Sequence, residues 1–261
     1  MASILKTNEI TMQFGGVIAV ASLKLEINEN EIVALIGPNG AGKTTAFNMI
    51  TGVYKPTRGN VIYTTGAVEK DITGFKPSAI AKLGIARTFQ NIRLFKDLSV
   101  YENVMIAKHL QLKSDFLSAT LHLPWYNKEQ KIAEEETKAL LEEVDLWELR
   151  DEKASSLPYG NQRRLEIVRA LATHPKLLLL DEPAAGMNPK ETDELTDFIK
   201  QIHDEYNLTV FMIEHHMDLV MGISDKIYVL DFGETIAKGT PDEIQNNNRV
   251  IEAYLGVEDD A

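Results

Sequence analysis

The stretch Ile32-Val33-Ala34-Leu35-Ile36-Gly37-Pro38-Asn39-Gly40-Ala41-Gly42-Lys43-Thr44-Thr45 decides the fold. Residues 37–44 satisfy G-x-x-x-x-G-K-[ST] at every fixed position. The five apolar residues before them read as a strand, and Thr45 to Ile50 read as a helix opening. Strand, glycine-rich loop and helix in that order turn a text pattern into a site. Gly37, Gly40 and Gly42 let the backbone turn without a Cβ, so successive N–H groups can face phosphate oxygens. The helix behind adds its positive end. Lys43 supplies a mobile cation for the β- and γ-phosphates, and the Thr44 hydroxyl is placed to meet Mg²⁺. The expectation is a nucleoside triphosphate held by Gly37, Pro38, Asn39, Gly40, Ala41, Gly42, Lys43, Thr44 and Thr45.

A chain of 261 residues holds one large α/β domain, or a core with an inserted subdomain. At 44% hydrophobic residues it can bury a core. Its net charge of −12 argues against general nucleic-acid binding, which needs a basic face. The chain has no cysteine, so disulfides and thiolate-bound metals are excluded, and a reducing compartment suits it. No apolar run reaches the ~18–20 residues of a membrane span. The first residues lack the apolar stretch of a secretion signal. These features predict a soluble, cytoplasmic chain that depends on other subunits for any membrane spans.

Upstream of the loop, Ile10–Phe14 and Ser22–Ile27 read as two β segments beside Gly15-Gly16. From spacing alone Phe14 reads as ordinary core; the alternative is a ring on which an adenine stacks. Downstream, Gly84 to Gln90 reads as a strand ending in a polar residue. Residues 97–150 change character. Glu102–Leu112 and Lys128–Leu149 carry helical spacing, with Leu140, Leu141, Val144 and Trp147 as one stripe and Asn127/Gln130 as a capping pair. Phe116, Pro124, Trp125 and Tyr126 suggest a loop that packs between them. Together they predict a helical insertion. Leu157–Gln162 then reads as a turn into a helix over Arg163–Thr173, and Gly160 marks a second anion site of weak signal.

Leu177 to Leu180 suits a strand buried on both faces, with Asp181 and Glu182 at the end where parallel sheets bind ligands. Neighbours on a strand point to opposite sides, so the two acids take different work. One sits beside Thr44 and the Mg²⁺ shell; the other faces the γ-phosphate and a water. Asn188-Pro-Lys-Glu191 starts a helix that runs to about Tyr206. Leu208–Ile213 is another buried strand, ending at Glu214-His215-His216. A metal on the paired histidines is disfavoured, because neighbouring side chains diverge and no third ligand has suitable spacing. One histidine there can instead reach a γ-phosphate. Lys226–Asp231 and Glu234–Lys238 form a hairpin about Phe232-Gly233, and two short helices follow Pro241.

The order of phosphate loop, glutamine, signature-like turn, Leu-Leu-Leu-Leu-Asp-Glu and histidine resembles the ATPase subunits of ABC transporters over nearly the whole chain. The resemblance implies an α/β P-loop NTPase core with an N-terminal antiparallel β region and an inserted helical subdomain. Its parts are a core of 1–90 and 157–240, an insertion of 91–156 and a tail of 241–261. It puts Phe14 at the adenine-stacking aromatic, reversing the reading from spacing. Gln90 falls at the glutamine that touches Mg²⁺, Gly160 and Asn161 within the signature, and Asp181 at the Mg²⁺-shell aspartate. Glu182 falls at the base that activates water, and His215 at the switch histidine.

A closer likeness is to the branched-chain amino acid importer branch. Its carriers are Gly84–Phe95, Tyr159–Ile167, Glu182–Pro189, the Tyr254-Leu-Gly256 ending and the long insertion. The chain departs from the common signature at Pro158, Tyr159 and Asn161, and has Asn188 where an aspartate is usual. The implied cofactors are ATP and Mg²⁺. The implied partners are a second ATPase subunit (same chain or paralogue), two transmembrane permease subunits and an extracytoplasmic substrate-binding protein. Their complex sits at the cytoplasmic face of the membrane. The groove near Gln90 to Phe95 is the surface implied for the permease. Rival readings are a urea or amide importer, a lipopolysaccharide exporter with a shorter insertion, and an ATP-binding scaffold with weak hydrolysis. A GTPase lacks support because no N-K-x-D motif is present.

Overall fold

A computed structural model describes residues 2–109 and 124–255. Strand β1 (Ser3–Phe14) turns at Gly15-Gly16 into β2 (Val17–Leu23) and also pairs with β3 (Glu26–Asn28). The single segment expected over Ser22–Ile27 is therefore two strands. The buried Thr7 hydroxyl makes the break possible: it donates to the Leu23 carbonyl at 3.0 Å and accepts from the Leu25 amide at 2.8 Å. Strand β4 (Ile32–Ile36) leads through the glycine-rich loop into helix α1 (Lys43–Ile50). Then come β5 (Arg58–Thr65), β6 (Val68–Asp71), α2 (Pro77–Ala81) and β7 (Ile85–Arg87).

Two compact units form: Met1–Arg87 with Lys176–Ala261, and Thr88–Pro175. The second unit holds the expected 91–156 segment together with the turn and helix of 157–175. Its helices are α3 (Val100–His109), α4 (Pro124–Glu143) and α5 (Tyr159–Leu171). Ser99 and Glu102 cap α3 reciprocally, each side chain accepting the other's amide, at 3.1 and 2.8 Å. Leu112 and Phe116 lie outside the described residues. Helix α4 starts before Asn127, so the expected Asn127/Gln130 cap is not formed. Gln130 Nε2 instead donates to Glu134 Oε1 one turn on, at 3.1 Å. The helix also stops short of Leu149. Asp145 turns left-handed at φ 57°, and a 3₁₀ turn, Trp147–Leu149, follows. Helix α5 begins four residues before Arg163, with the Pro158 carbonyl accepting the Gln162 amide at 3.0 Å.

In the first unit, β8 (Leu177–Asp181) is followed by α6 (Pro189–Tyr206), β9 (Thr209–Ile213) and α7 (Met217–Ile223). The hairpin β10 (Lys226–Asp231) and β11 (Glu234–Gly239) comes next, then α8 (Pro241–Gln245) and α9 (Asn248–Leu255). One sheet runs β2-β1-β5-β6 with β3 on β1, all antiparallel. The other runs β11-β10-β4-β9-β8-β7, parallel except for β11. Every residue of β4, β8 and β9 is buried, as strands covered on both faces must be. A shared core of Leu5, Ile10, Phe47, Val61, Leu179 and Phe211 joins the two sheets around α1.

Candidate nucleotide site

Register brings the ends of three strands level. Ile213 pairs with Leu35 on one side and with Asp181 on the other. The glycine-rich loop, the two acids and the histidines thus leave the sheet at one edge, where parallel α/β sheets bind ligands. Gly37 sits at φ 148°, and a Cβ there would run into the Leu230 carbonyl of β10. Only glycine lets the loop lie so close to the strand beneath it. The hairpin tip also supports the loop: the Gly233 amide donates to the Ala41 carbonyl at 3.0 Å.

Lys43 opens α1 with its ammonium folded along the loop, donating to the carbonyls of Gly37 at 2.6 Å and Pro38 at 2.9 Å. Burial pushes it below its ordinary pKa, while the Glu182 carboxylate works in the opposite direction. Thr44, Asn39 and Gly40 are exposed, and Pro38 and Thr45 half-buried. Tyr254, on α9, belongs to the same neighbourhood. Burial pushes its phenol up to about 12, and the Gly37 backbone opposes that rise.

Asp181 and Glu182 do take different surroundings. Asp181 is buried and accepts from Arg87 Nη2 at 2.6 Å. Glu182 turns out of the strand at φ 47°, its amide held by the Ile213 carbonyl at 2.9 Å. A left-handed conformation in a residue other than glycine is strained, and such strain gathers at working sites. The His215 ring, half exposed, has Nδ1 3.9 Å from Glu182 Oε2. So Lys43, Glu182 and His215 are neighbours.

Divergence of the two histidines does not hold, because β9 ends at Ile213 and the alternation ends with it. Their rings lie 4.4 Å apart. Glu214, His215 and His216 each place a ligand-type atom within 4.8 Å of the others. Glu214 is fully buried and accepts two amides, Ala184 at 3.0 Å and His215 at 2.9 Å, which gives it a role in shaping this turn. Phe14 is exposed, with its ring edge-on to Tyr54 at 5.3 Å. Asn188 caps α6 in a full capping box with Glu191. Asparagine and aspartate serve equally well at an N-cap, which accounts locally for the departure there.

In the unit of 88–175, Gln90 is exposed and its carbonyl accepts from Arg163 Nη2 at 2.7 Å. Arg163 is fully buried and also donates to the Phe89 carbonyl at 2.7 Å and to Glu166 at 2.8 Å. Glu166 in turn accepts the Arg93 amide at 3.0 Å. Burial raises the Glu166 pKa; the Arg93 amide and the two neighbouring arginines oppose it. Gly160 and Asn161 are half-buried in the first turn of α5. Sequence reading assigned no role to Arg87, Arg163 or Tyr254. For Arg87, a cation following Ile85 and Ala86 was the available signal; Arg163, flanked by Gln162 and Arg164, offered none, and spacing alone names no partner for either.

The family model of ABC transporters matches residues 20–185. The chain belongs to the ABC transporter ATPase family. A second model, described as a branched-chain amino acid ATP-binding cassette transporter, matches residues 234–260 of this ABC ATPase. It is 49% identical over 253 residues to a Salmonella typhimurium protein named High-affinity branched-chain amino acid transport ATP-binding protein LivG, covering 97% of this chain and 98% of that one. The corresponding Pseudomonas aeruginosa protein, BraF, is 47% identical over the same shares. A crystallised ATP-binding cassette of an ABC transporter, in its ADP conformation, superposes with a TM-score of 0.84 at 32% identity, covering 98% of this chain and all of that one. As an ABC ATPase the chain binds nucleotide and serves a transport complex with membrane subunits. Among its described residues no helix is long and apolar enough to cross a membrane.

Proposed function

We propose that this chain is the ATP-hydrolysing subunit of an importer for branched-chain amino acids, working at the cytoplasmic face of the membrane. The observation that carries the chemistry is Glu182, strained out of β8 within electrostatic reach of Lys43 and 3.9 Å from His215. The relatives' printed substrate supports the choice of cargo. Main-chain N–H groups of the loop from Asn39 to Thr45 and Lys43 hold the triphosphate, and the exposed Phe14 stacks on adenine. Glu182 orients a water and takes its proton as the water oxygen attacks the γ-phosphorus and ADP leaves. His215 contacts the γ-phosphate.

The Thr44 hydroxyl and the Asp181 carboxylate, both in the unit with the two sheets, are hard oxygen donors of the kind Mg²⁺ takes. Mg²⁺ offsets phosphate charge when bound. Two subunits, same or paralogous, close head to tail over two ATPs, each presenting the turn with Gly160 and Asn161 to the other's phosphate loop. Closure follows because ATP favours the state in which both half-sites grip it. Within the parts proposed above, the 91–156 subdomain carries the exposed Phe95 toward two permease subunits, which receive cargo from an extracytoplasmic binding protein.

Replacing Glu182 with Gln keeps the shape and removes the base. Turnover of the assembled complex should fall ~10²–10⁴-fold, roughly 3–5 kcal/mol in the barrier, with ATP binding retained and a closed dimer accumulating. Wild-type turnover in that variant would sink the assignment. Leucine uptake into vesicles carrying the complex tests the cargo, and uptake of urea in its place would redirect it.

A further inference from the structure

Arg87 ends β7 with its side chain 9% exposed, facing Asp181 at 6%. Nη2 donates to Asp181 Oδ2 at 2.6 Å, and Nη1 donates to both Asn48 Oδ1 and Thr51 Oγ1 at 2.8 Å. The guanidinium lies 5.7 Å from the centre of the Phe47 ring. Thr44 and Asn48, four apart, share one face of α1, and Thr51 extends that face from the helix's C-cap. A single planar cation therefore braces the carboxylate at the end of β8 against the helix face that begins with Thr44. Charge-assisted bonds from a rigid fork fix a carboxylate's rotation better than a flexible ammonium does.

We propose that Arg87 is a positioning residue for Mg²⁺-nucleotide: it pins Asp181 through Oδ2, so that Oδ1 is presented to the Mg²⁺ shell at a set distance from Thr44. The inference rests on the reading of Asp181 as the Mg²⁺-side carboxylate. Two effects of Arg87 oppose each other. Its charge repels a divalent cation, whereas its hydrogen bonds orient the group that receives one. Outer-shell partners of metal ligands typically contribute 10–100-fold in metal affinity. A fork that holds Asp181 while anchored to Asn48 and Thr51 places Arg87 in that class, and orientation wins.

The two effects differ in sign, so variants separate them. Binding of a fluorescent ATP analogue to the full chain is measured with and without MgCl₂, and the Mg²⁺ concentration giving half the enhancement is recorded. Bound Mn²⁺ is counted by electron paramagnetic resonance in the presence of ADP. Arg87→Gln removes charge and fork; Arg87→Lys keeps charge and loses the fork. Both should raise the half-enhancing Mg²⁺ concentration ~10-fold or more, while Mg²⁺-free binding changes less than about two-fold. A lowered requirement in Arg87→Gln would mean that charge dominates and would overturn the proposal. So would an unchanged requirement in both variants, or an equal loss of Mg²⁺-free binding. If Arg87→Gln fails to fold, Arg87→Lys carries the same comparison with the buried cation kept. An Asp181→Asn arm tests the underlying reading: if it keeps the full Mg²⁺ enhancement, the role of Asp181 fails, whatever Arg87 does.

Discussion

In each compact unit a buried arginine faces a carboxylate, and the two arginines spend their remaining donors differently. Arg163 donates at 2.7 Å to the backbone carbonyls of Phe89 and Gln90, with a longer 3.4 Å contact to the Tyr159 hydroxyl, and its partner Glu166 accepts the Arg93 amide. Arg87 donates to the side chains of Asp181, Asn48 and Thr51. The first pair holds a chain path, the segment 89–93 running beside α5. The second holds side chains at set places on two elements. A main-chain carbonyl survives any substitution, so its need for a donor survives as well. A side-chain acceptor can be replaced along with its donor. Similar chemistry therefore produces a structural anchor in one unit and an adjustable brace in the other.

The largest expected effect comes from breaking the anchor. Arg163→Met strips buried Glu166 of its hydrogen-bonded cation, leaving Arg169 as the remaining neighbouring charge, and should cost ~3–5 kcal/mol in urea unfolding. Adding Glu166→Leu removes that carboxylate, but Arg169 then loses its counter-charge and the carbonyls of 89 and 90 and the Arg93 amide remain, each worth ~1–3 kcal/mol when buried and unsatisfied. The double variant should thus stay well below wild type. Full recovery would erase the distinction between the two pairs.

The unit with the two sheets also holds a phenol whose ionisation burial and the Glu29 carboxylate discourage and only the Thr65 side chain favours. Tyr63 is buried in its core, and desolvation pushes its phenol from 10.0 up to about 12. A folded-state pKa above the unfolded one means that the native chain holds the extra proton between those values. Stability is then fully present below pH 10 and falls as pH rises toward 12. That rise corresponds to about 2–3 kcal/mol. Denaturation midpoints of Tyr63→Phe and wild type, compared at pH 9 and pH 12, should show the smaller decline in the variant. Equal declines would assign the alkaline loss to other groups.

The smallest effect belongs to an exposed side-chain-to-backbone contact. Asn188→Ala removes the cap of α6 and should cost ~1 kcal/mol, with Asn188→Asp close to wild type. A shift of ~2–4 °C in melting temperature is the corresponding reading for a chain of this size. A larger loss in Asn188→Ala would give Asn188 a second task beyond capping.

Local patterns made the elements around the nucleotide legible. Residues 37–44 state their own backbone requirement, Leu177–Leu180 their burial, and Asn188 to Glu191 their cap, because each depends on neighbours a few positions away. The Asn127/Gln130 pair misled, since the chain already enters α4 at Pro124. Strand alternation carried past Ile213 misled for the histidines, because the ladder ends there. Neither error lay in residue chemistry. Both lay in where an element begins or stops, which packing elsewhere decides.

What the sequence determined by itself is a loop that only glycine can make, a lysine to follow it, and two acids at the end of an apolar strand. These are short-range facts, set by φ/ψ limits and by periodicity. Tertiary structure alone decided that Arg87 meets Asp181 across 94 positions, that Arg163 reaches back 73 to Gln90, and that Glu182 and His215 share an edge. A buried charge must find a partner, but sequence spacing carries no record of which strands lie side by side. Sheet order and register bring the partners together in one unit, and the packing of a helix against a loop does so in the other.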